Sequence, residues 1–187
     1  MGYIFEPETL HAVVKRAVAG GGTLRDKVAL LRGELAGLYP GHIRHEDEWV
    51  FNIAGGALGQ LTVLHASITE YVIVFGTPIG TEGYSGRFRA DDYFMILEGE
   101  QWAYAAGQED RVVFRPGDLH LMPRGEARGY RMPDRCYAVE YARGFVPSML
   151  PFALADSFTS TLDAKPVLQT MRLYARAVIG ELLQGKI

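Results

Sequence analysis

Cysteine is nearly absent from this chain of 187 residues, in which Cys136 is the single one. One thiol cannot close an internal disulfide, and it cannot supply the several sulfur ligands of a cysteine-based zinc site. We therefore predict that Cys136 is a small, buried or half-buried core residue rather than a reactive thiol.

Long apolar runs and dense positive charge are missing as well. A membrane-spanning helix needs about 20 consecutive apolar residues, and no such run occurs. Charged residues, Glu6, Glu8 and Lys15, interrupt the N-terminal segment where a signal peptide would be apolar. The net charge is -3 with both signs mixed, which gives no reason to expect nucleic acid as a partner. We expect a chain that is soluble or peripheral to a membrane, or one from which an anchoring segment is missing.

Apolar residues make up 48% of the sequence, enough for one full hydrophobic core, so we predict a single domain over residues 1–187. Apolar residues recur with helical periodicity at both ends of the chain, whereas the middle has a different, strand-like pattern. Residues 1–40 are predicted to form N-terminal helices interrupted by glycines at 20–22, residues 45–145 a β-domain, and residues 146–187 two C-terminal helices.

The middle part consists of short runs rich in β-branched and aromatic residues, separated by glycine-rich turns. This spacing indicates an antiparallel sandwich or barrel in an α+β protein that is mainly β. The predicted strands lie near Trp49–Ile53, Gly59–Ala66, Thr69–Gly76, Phe88–Leu97, Glu100–Ala105, Arg111–Arg115, Asp118–Met122, Glu126–Arg131 and Cys136–Tyr141. The glycine-rich segment 76–87 fits neither a dinucleotide fingerprint nor a phosphate-binding loop, and we predict a long connection between strands there.

Two turns are more specific. Glu98-Gly99-Glu100 follows a predicted strand, and Arg115-Pro116-Gly117-Asp118 is followed after four residues by Pro123-Arg124-Gly125. These turns resemble those of the cupin family, in which glycine permits positive φ and proline fixes the entry to a turn. We therefore predict a cupin-like antiparallel β-barrel, with its mouth covered by the two C-terminal helices.

Many cupins bind a metal through a His-x-His pair and a later histidine. No His-x-His occurs here, and Arg128 stands where the later histidine is expected, so we predict a barrel without a metal. His42 and His45 could be proposed as ligands, but a polar loop before the first strand explains them better.

Glu140 lies in the strand-like run Ala138-Val139-Glu140-Tyr141, where one strand face should be apolar. A carboxylate on that face is costly to desolvate, so it either finds a partner or has a raised pKa. Asp91-Asp92 occurs in another strand-like run. Two carboxylates in one apolar pocket can share a proton and serve acid/base chemistry. The alternative is that Glu140 faces solvent or pairs with Arg143.

Alternating side chains on several predicted strands share one face. They are Tyr71, Ile73 and Phe75 on one strand, Tyr130 and Met132 on another, and His120 with Met122 on a third. The pattern fits a packed core and a cavity lining equally well, so it leaves this choice open. His65 is interpreted as a buried core histidine, with a catalytic role as the less favoured alternative.

The C-terminal region is rich in apolar residues. Segment 147–158 is apolar nearly all round, and a second helix begins near Asp163 and Pro166. The residues predicted to share one face of that helix are Val167, Met171, Tyr174, Ala175, Val178 and Leu182. Covering an open barrel mouth is the favoured interpretation; lying on a membrane is the alternative, and both can hold at once.

Longer strings resemble the family of the fungal sterol delta-8 to delta-7 isomerase and the sigma non-opioid receptor, from about residue 39 to the end. The matching strings are His65-Ala66-Ser67, Glu70-Tyr71, Phe75-Gly76-Thr77 through Gly86-Arg87, Val139-Glu140-Tyr141, Pro147 with Ala153-Leu154-Ala155-Asp156, and Ser160-Thr161. Two further strings, Arg89–Phe94 and Leu183–Ile187, are more similar to the isomerase branch.

The resemblance implies a ligand cavity inside the barrel, helices that close it against a membrane, and a homo-oligomer, trimeric in the receptor. Glu140 matches the essential pocket glutamate and Tyr71 the tyrosine that hydrogen-bonds to it. The receptor's second carboxylate aligns with Phe94. Because Asp92 lies two residues earlier on the same strand face, we predict that Asp92 supplies this carboxylate, with Asp91 as the alternative. Family members also carry an N-terminal membrane helix, for which no candidate segment occurs here.

The function implied is a sterol isomerase of ergosterol-type biosynthesis at the endoplasmic reticulum membrane, with no cofactor. Glu140, Asp92 and Tyr71 are the predicted catalytic residues. The predicted substrate-binding residues are Ile73, Phe75, Phe94, His120, Met122, Tyr130, Met132, Leu150, Tyr174 and Asp91. Expected partners are the sterol, cationic amine inhibitors, a membrane surface bound through the C-terminal helices, and further copies of the chain. Two alternatives stay open: a non-enzymatic, sigma-receptor-like binder of cationic amphiphilic amines or sterols, and a metal-dependent cupin oxygenase.

Overall fold

The computed structural model describes residues 2–186. Two helices come first, α1 (Pro7–Ala19) and α2 (Leu24–Leu38). A capping box begins α2, because the Thr23 hydroxyl accepts from the backbone N–H of Asp26 and the Asp26 carboxylate accepts from the backbone N–H of Thr23 at 2.8 Å. The apolar faces of both helices belong to one core cluster with side chains of the following strands.

Ten strands follow, and all their pairings are antiparallel. Their bounds are β1 (Val50–Ala54), β2 (Ala57–Ala66), β3 (Glu70–Thr77), β4 (Thr81–Tyr84), β5 (Ala90–Glu98), β6 (Gln101–Tyr104), β7 (Val112–Phe114), β8 (Leu119–Met122), β9 (Gly129–Met132) and β10 (Cys136–Gly144). The larger sheet has the order β1-β2-β3-β10-β5-β8, and the smaller one β4-β9-β6-β7. The prediction of a mainly β, cupin-like antiparallel fold is confirmed. Over residues 2–186 no strand pair joins the two sheets, so the predicted barrel is an open one.

The glycine-rich segment 76–87 is more than a connection. Its residues Thr81–Tyr84 form β4, which pairs with β9, so the prediction of a long connection between strands was wrong there. Gly83 in this strand lies so close to the preceding hairpin that an added Cβ would be 2.6 Å from the carbonyl oxygen of Gly55. The glycine therefore permits close backbone contact inside a strand, which a turn-based interpretation of the same residue overlooks.

Alternation along β3 decides which side chains face the helices. Val72 and Val74 pack into the cluster with α1 and α2. Tyr71, Ile73 and Phe75 point the opposite way, into the space between the two sheets. The same alternation on β5 and β10 gives the larger sheet one face for the helical core and one face for a cavity.

The chain ends in a short 3-10 helix (Val146–Met149) and two helices, α3 (Leu150–Thr159) and α4 (Ala164–Leu183). α3 packs against β1, and α4 against β1 and β2. The predicted single apolar face of α4 was wrong in part: Val167, Tyr174 and Val178 lie inward, whereas Met171, Ala175 and Leu182 are exposed. The helix is apolar on two sides, so periodicity alone could not select the buried one. Within the described part of the chain, no helix combines the length and apolar character needed to cross a membrane.

Candidate active site

A cavity of about 160 Å³ lies between the two sheets and is bordered by α3 and α4. Its wall is mainly apolar and aromatic. The predicted site residues that line it are Tyr71, Ile73, Phe75, Asp92, Phe94, His120, Met122, Tyr130, Glu140, Leu150 and Tyr174. Residues from seven separate elements, five strands and two helices, thus meet in one chamber.

Glu140 lines the cavity from β10, between β3 and β5. The Tyr71 hydroxyl donates a hydrogen bond to Glu140 Oε1. Glu140 is half-buried, and its accessible surface faces the cavity. Burial raises the pKa of Glu140 from 4.5 to about 7, while the hydrogen bond from Tyr71 favours the charged form and opposes that rise.

Asp92 lines the cavity from the neighbouring strand β5. Its backbone partner on β10 is Ala142, two residues from Glu140, so the two carboxylates are diagonal neighbours on one sheet face. Asp92 is 3% exposed, and no hydrogen-bond partner for its Oδ1 occurs among residues 2–186. Burial, and then the charge of Glu140, raise the pKa of Asp92 well above its ordinary value. Such a pair retains one proton at neutral pH, and the hydrogen bond from Tyr71 favours Asp92 as the protonated member.

The alternative in which Glu140 pairs with Arg143 is wrong. Arg143 lies three residues further along β10 and therefore on the opposite face. Its guanidinium lies over the rings of Tyr93 and Tyr3, at 5.3 and 5.4 Å from their centroids.

Asp91 does not serve as the alternative second carboxylate, which corrects that prediction. Its side chain points away from the cavity and binds Arg124, with Arg124 Nη2 3.0 Å from Asp91 Oδ2. The hydrogen bonds from Arg124 lower the pKa of Asp91. Adjacent residues of one strand thus have carboxylates with opposite pKa shifts, because they face opposite sides of the sheet.

Met132 is also misplaced by the prediction. It is fully buried in an apolar cluster with Phe75, Ile96 and Cys136 and does not line the cavity. Met132 lies on the same face of β9 as Tyr130, as the alternation predicted. It is, however, the last residue of β9, where the two sheets pack against each other without intervening space. Cys136 is buried, as predicted, and burial raises the pKa of its thiol to about 12.

His65 is a core residue, as its favoured interpretation predicted. It is 1% exposed and lies outside the cavity, with Nδ1 2.8 Å from the carbonyl oxygen of His42. The nearby His42 Nδ1 is 2.8 Å from Glu181 Oε2, a contact that holds α4. In the part of the chain that the structure describes, no group of three or more His, Cys, Asp or Glu side chains is placed to hold a metal ion.

Sequence reasoning missed several residues of the cavity wall. The polar ones are Asn52, Ser85, Gln101, Arg128 and Thr170, and the apolar ones include Phe88, Val146, Met149, Phe152 and Ala153. Gln101 lies on the same face of β6 as the buried Ala103. A glutamine that shares a strand face with a small apolar residue is the signal that could have identified it. The apolar residues of α3 carry no comparable signal, because that segment is apolar all round.

Fold and site together define a cupin-like β-protein with a pair of buried acids in an apolar cavity. The chain belongs to the family described as ERG2 and Sigma1 receptor like protein, whose sequence profile matches residues 1–186. It is 49% identical over 186 residues to C-8 sterol isomerase erg2 of Aspergillus fumigatus, covering 98% of this chain and 78% of that protein. It is 42% identical over 150 residues to sigma non-opioid intracellular receptor 1 of Gallus gallus, covering 79% of this chain and 68% of that protein. Among solved structures, an RmlC-like cupin from Shewanella frigidimarina aligns with a TM-score of 0.46 and 19% identity, over 55% of this chain and 90% of that one.

Proposed function

We propose that this protein is a sterol isomerase that moves a ring double bond from the delta-8 to the delta-7 position. The observation that carries the proposal is the pair of carboxylates, Asp92 and Glu140, in a cavity with a largely hydrocarbon wall. The relatives named C-8 sterol isomerase, at 45–49% identity over nearly the whole chain, support it.

The reaction needs a proton donor and a proton acceptor. A carboxylic acid adds a proton to C-9, the electrons of the 8,9 double bond form the new C–H bond, and a tertiary carbocation develops at C-8. A carboxylate then removes a proton from C-7, and the electrons of that C–H bond form the 7,8 double bond. One proton enters and one leaves, so the sterol is neither oxidised nor reduced and the step requires no cofactor.

The pair of acids is suited to these two roles. The raised pKa of Asp92 keeps a carboxylic acid available at neutral pH, and the ionised Glu140 stabilises the cation electrostatically. The apolar wall excludes water, which would otherwise trap the cation as an alcohol. Tyr71, through its hydrogen bond to Glu140, orients the ionised member. Because the pair titrates jointly, its members can exchange roles after each turnover.

The size of the cavity has a consequence for binding. Its volume of about 160 Å³ is below the roughly 300–1,000 Å³ typical of pockets for drug-sized ligands. A bound sterol must therefore displace side chains of the wall, and the part of the wall outside the sheets includes α3, α4 and the 3-10 helix before them. We propose that these helices move outward when the sterol enters.

The direct test is conversion of a delta-8 sterol by the purified chain in deuterium oxide. We expect a delta-7 product with deuterium at C-9. Glu140→Gln should lose conversion while the fold stays intact by circular dichroism, and Asp91→Asn, an acid on the opposite face, should retain it. Full activity of Glu140→Gln would remove the proposal.

A second candidate function is that of a non-enzymatic receptor. The relatives named sigma non-opioid intracellular receptor 1 favour it, since the same carboxylates would bind a ligand ammonium group, which resembles the carbocation in charge. Incubation with a delta-8 sterol separates the two: product formation supports the enzyme, in which cationic amines act as inhibitors. Amine binding without any product supports the receptor.

We propose that α4 lies on a membrane surface, that of the endoplasmic reticulum. Its outward side carries an exposed apolar stripe that includes Leu168, at 68% exposure, and Ile179, at 57%, next to Arg172 and Arg176. Cosedimentation with vesicles of zwitterionic and anionic phospholipid tests this. The double change Leu168→Glu/Ile179→Glu should abolish it, and Val112→Glu, at an exposed apolar position of β7, should not.

We also propose a homo-oligomer, with three copies as the family resemblance implies. Light scattering of the detergent-solubilised chain measures the mass of the assembly. A mass of one chain would contradict the proposal.

A further inference from the structure

Gln101 has a buried polar group that the chemistry described above does not use. This residue of β6 is 2% exposed and lines the cavity, and its Oε1 has no hydrogen-bond partner among residues 2–186. Native proteins rarely retain a buried amide oxygen without a donor, and such a group in a cavity wall is most simply explained by a ligand that supplies the donor.

His120 lies in the same corner of the cavity. Gln101 pairs with Phe114 across β6 and β7, and the Phe114 ring stacks on the His120 imidazole with 4.3 Å between centroids and 9° between planes. Burial, and then the charge of Arg128, lower the pKa of His120 to about 4. The ring is therefore neutral at physiological pH, with one N–H to donate.

The corner lies two strands away from Glu140, and β5, the strand that carries Asp92, runs between them. His120 pairs with Phe94, and Phe94 pairs with Glu140. At the usual spacing of strands, the backbones of His120 and Glu140 are therefore roughly 10 Å apart, and both side chains face the cavity.

The end of the cavity under the C-terminal helices has a different character. It is formed largely by the apolar residues Val146, Met149, Leu150, Phe152 and Ala153. The Tyr174 hydroxyl at this end already donates to the carbonyl oxygen of Ser67 at 3.0 Å. Hydrocarbon at this end leaves the Tyr174 hydroxyl paired, whereas hydrocarbon against Gln101 leaves its Oε1 without a donor.

We propose that Gln101 and His120 form the binding subsite for the hydroxyl group of the steroid. The hydroxyl donates to Gln101 Oε1 and accepts from the imidazole N–H of His120. This proposal rests on the proposed sterol isomerisation and adds an orientation to it. The hydroxyl is on the first ring and the migrating double bond borders the second, so a hydroxyl in this corner brings the double bond toward Glu140. The hydrocarbon tail then extends under α3 and α4.

The experiment compares a 3-hydroxylated delta-8 sterol with its 3-deoxy analogue. In Gln101→Met the side chain keeps its length and loses the acceptor, so kcat/KM for the hydroxylated sterol should fall roughly 10- to 100-fold. The value for the 3-deoxy analogue should change less than about threefold, because no hydrogen bond is lost there. His120→Phe keeps the ring stack and should show the same selective loss at about tenfold. Asn52→Leu, which changes the other amide of the cavity wall, should affect both substrates equally.

Two outcomes overturn the subsite: an equal loss on both substrates in Gln101→Met, or a selective loss in Asn52→Leu and not in Gln101→Met. If the wild-type chain converts neither sterol, the proposed isomerisation fails, and the affinities of the two sterols decide the subsite by themselves. Tighter binding of the hydroxylated sterol that Gln101→Met removes supports it. Equal affinity of the wild type for both sterols, or no binding of either, overturns it.

Discussion

Glu70 and Glu140 lie on adjacent strands of the same sheet, and both are removed from bulk water, but their environments differ completely. Glu70, at 0% exposure, accepts hydrogen bonds from the backbone N–H groups of Ile4 at 2.7 Å and Phe5 at 3.3 Å, and the Lys186 ammonium is 3.0 Å away. Its charge is thus compensated by the two ends of the chain, which it ties to β3. This carboxylate stabilises the fold.

The acids of the cavity have no such compensation. Glu140 accepts one side-chain hydrogen bond, from Tyr71, and no cation is paired with Glu140 or Asp92 in residues 2–186. Burial raises the pKa values of both acids, and no cation offsets that rise, so the pair retains a carboxylic acid at neutral pH. The comparison teaches that the partners of a buried acid, more than its burial, separate a structural carboxylate from a reactive one.

Substitution of the cavity acids should have the largest effect, and that effect should be on turnover. Asp92→Asn removes one member of the pair, and the rate of delta-8 to delta-7 conversion should fall by roughly 10²- to 10⁴-fold, the usual contribution of a general acid or base. Combined with Glu140→Gln it should cause little further loss, because the two residues act as one unit. Single-turnover rates of the two single variants and the double variant measure this, and independent, additive losses would argue against a shared proton.

Glu70→Gln should instead lower the stability of the fold. The variant leaves the largely buried ammonium of Lys186 without its counter-charge, and the free energy of unfolding should fall by about 3 kcal/mol. Urea denaturation measures the change, and turnover per folded molecule should be retained. Adding Lys186→Met should recover part of the loss, since the unpaired charge is then gone; no recovery would mean that the ion pair is not the source of the effect.

The stability of the fold should depend on pH through Glu140. The pKa of Glu140 in the folded state, about 7, lies above the ordinary value of 4.5, so folding is favoured at low pH and this contribution is lost as pH rises through 7. Glu140→Gln removes the free-energy cost of ionising this buried carboxyl. We expect the variant to gain about 3 kcal/mol on the wild type between about pH 4.5 and about pH 8. Urea unfolding at the two pH values checks this, and a constant difference between the proteins would contradict it.

Much of this architecture could be predicted from the sequence, for identifiable reasons. Period-two alternation placed Tyr71, Ile73 and Phe75 on one face of β3, and the glycine-proline turns indicated a cupin-like fold. The same alternation could have excluded Asp91, because adjacent strand residues cannot share a face. The pairing of Glu140 with Tyr71 came from the family resemblance, since no local pattern connects residues on two strands that are distant in sequence.

Other features depend on contacts that sequence does not encode locally. The local alternation shows only that Gln101 and Ala103 share a face of β6. That this face meets the cavity depends on how the smaller sheet lies over the larger one, which no residue near Gln101 specifies. α4 is apolar on both its inner and outer sides, so its buried face was fixed by packing on β1 and β2. The division of the chain into parts at residues 40, 45 and 145 stays a prediction.

The smallest effect, and the sharpest test of the acid pair, concerns Tyr71. Its hydroxyl stabilises the charged form of Glu140, so Tyr71→Phe should raise the pKa of that carboxyl. In the wild type, kcat should fall as the pH drops below about 7, where Glu140 becomes protonated. Tyr71→Phe should move this acidic limb of the pH–rate profile to higher pH. At about pH 7 the variant should lose roughly tenfold in kcat and regain part of it as the pH rises. Tyr174→Phe, which removes another hydroxyl of the cavity wall, should leave the limb in place. If Tyr71 only filled space, its loss would lower kcat by the same factor at every pH, because no ionisation would have changed.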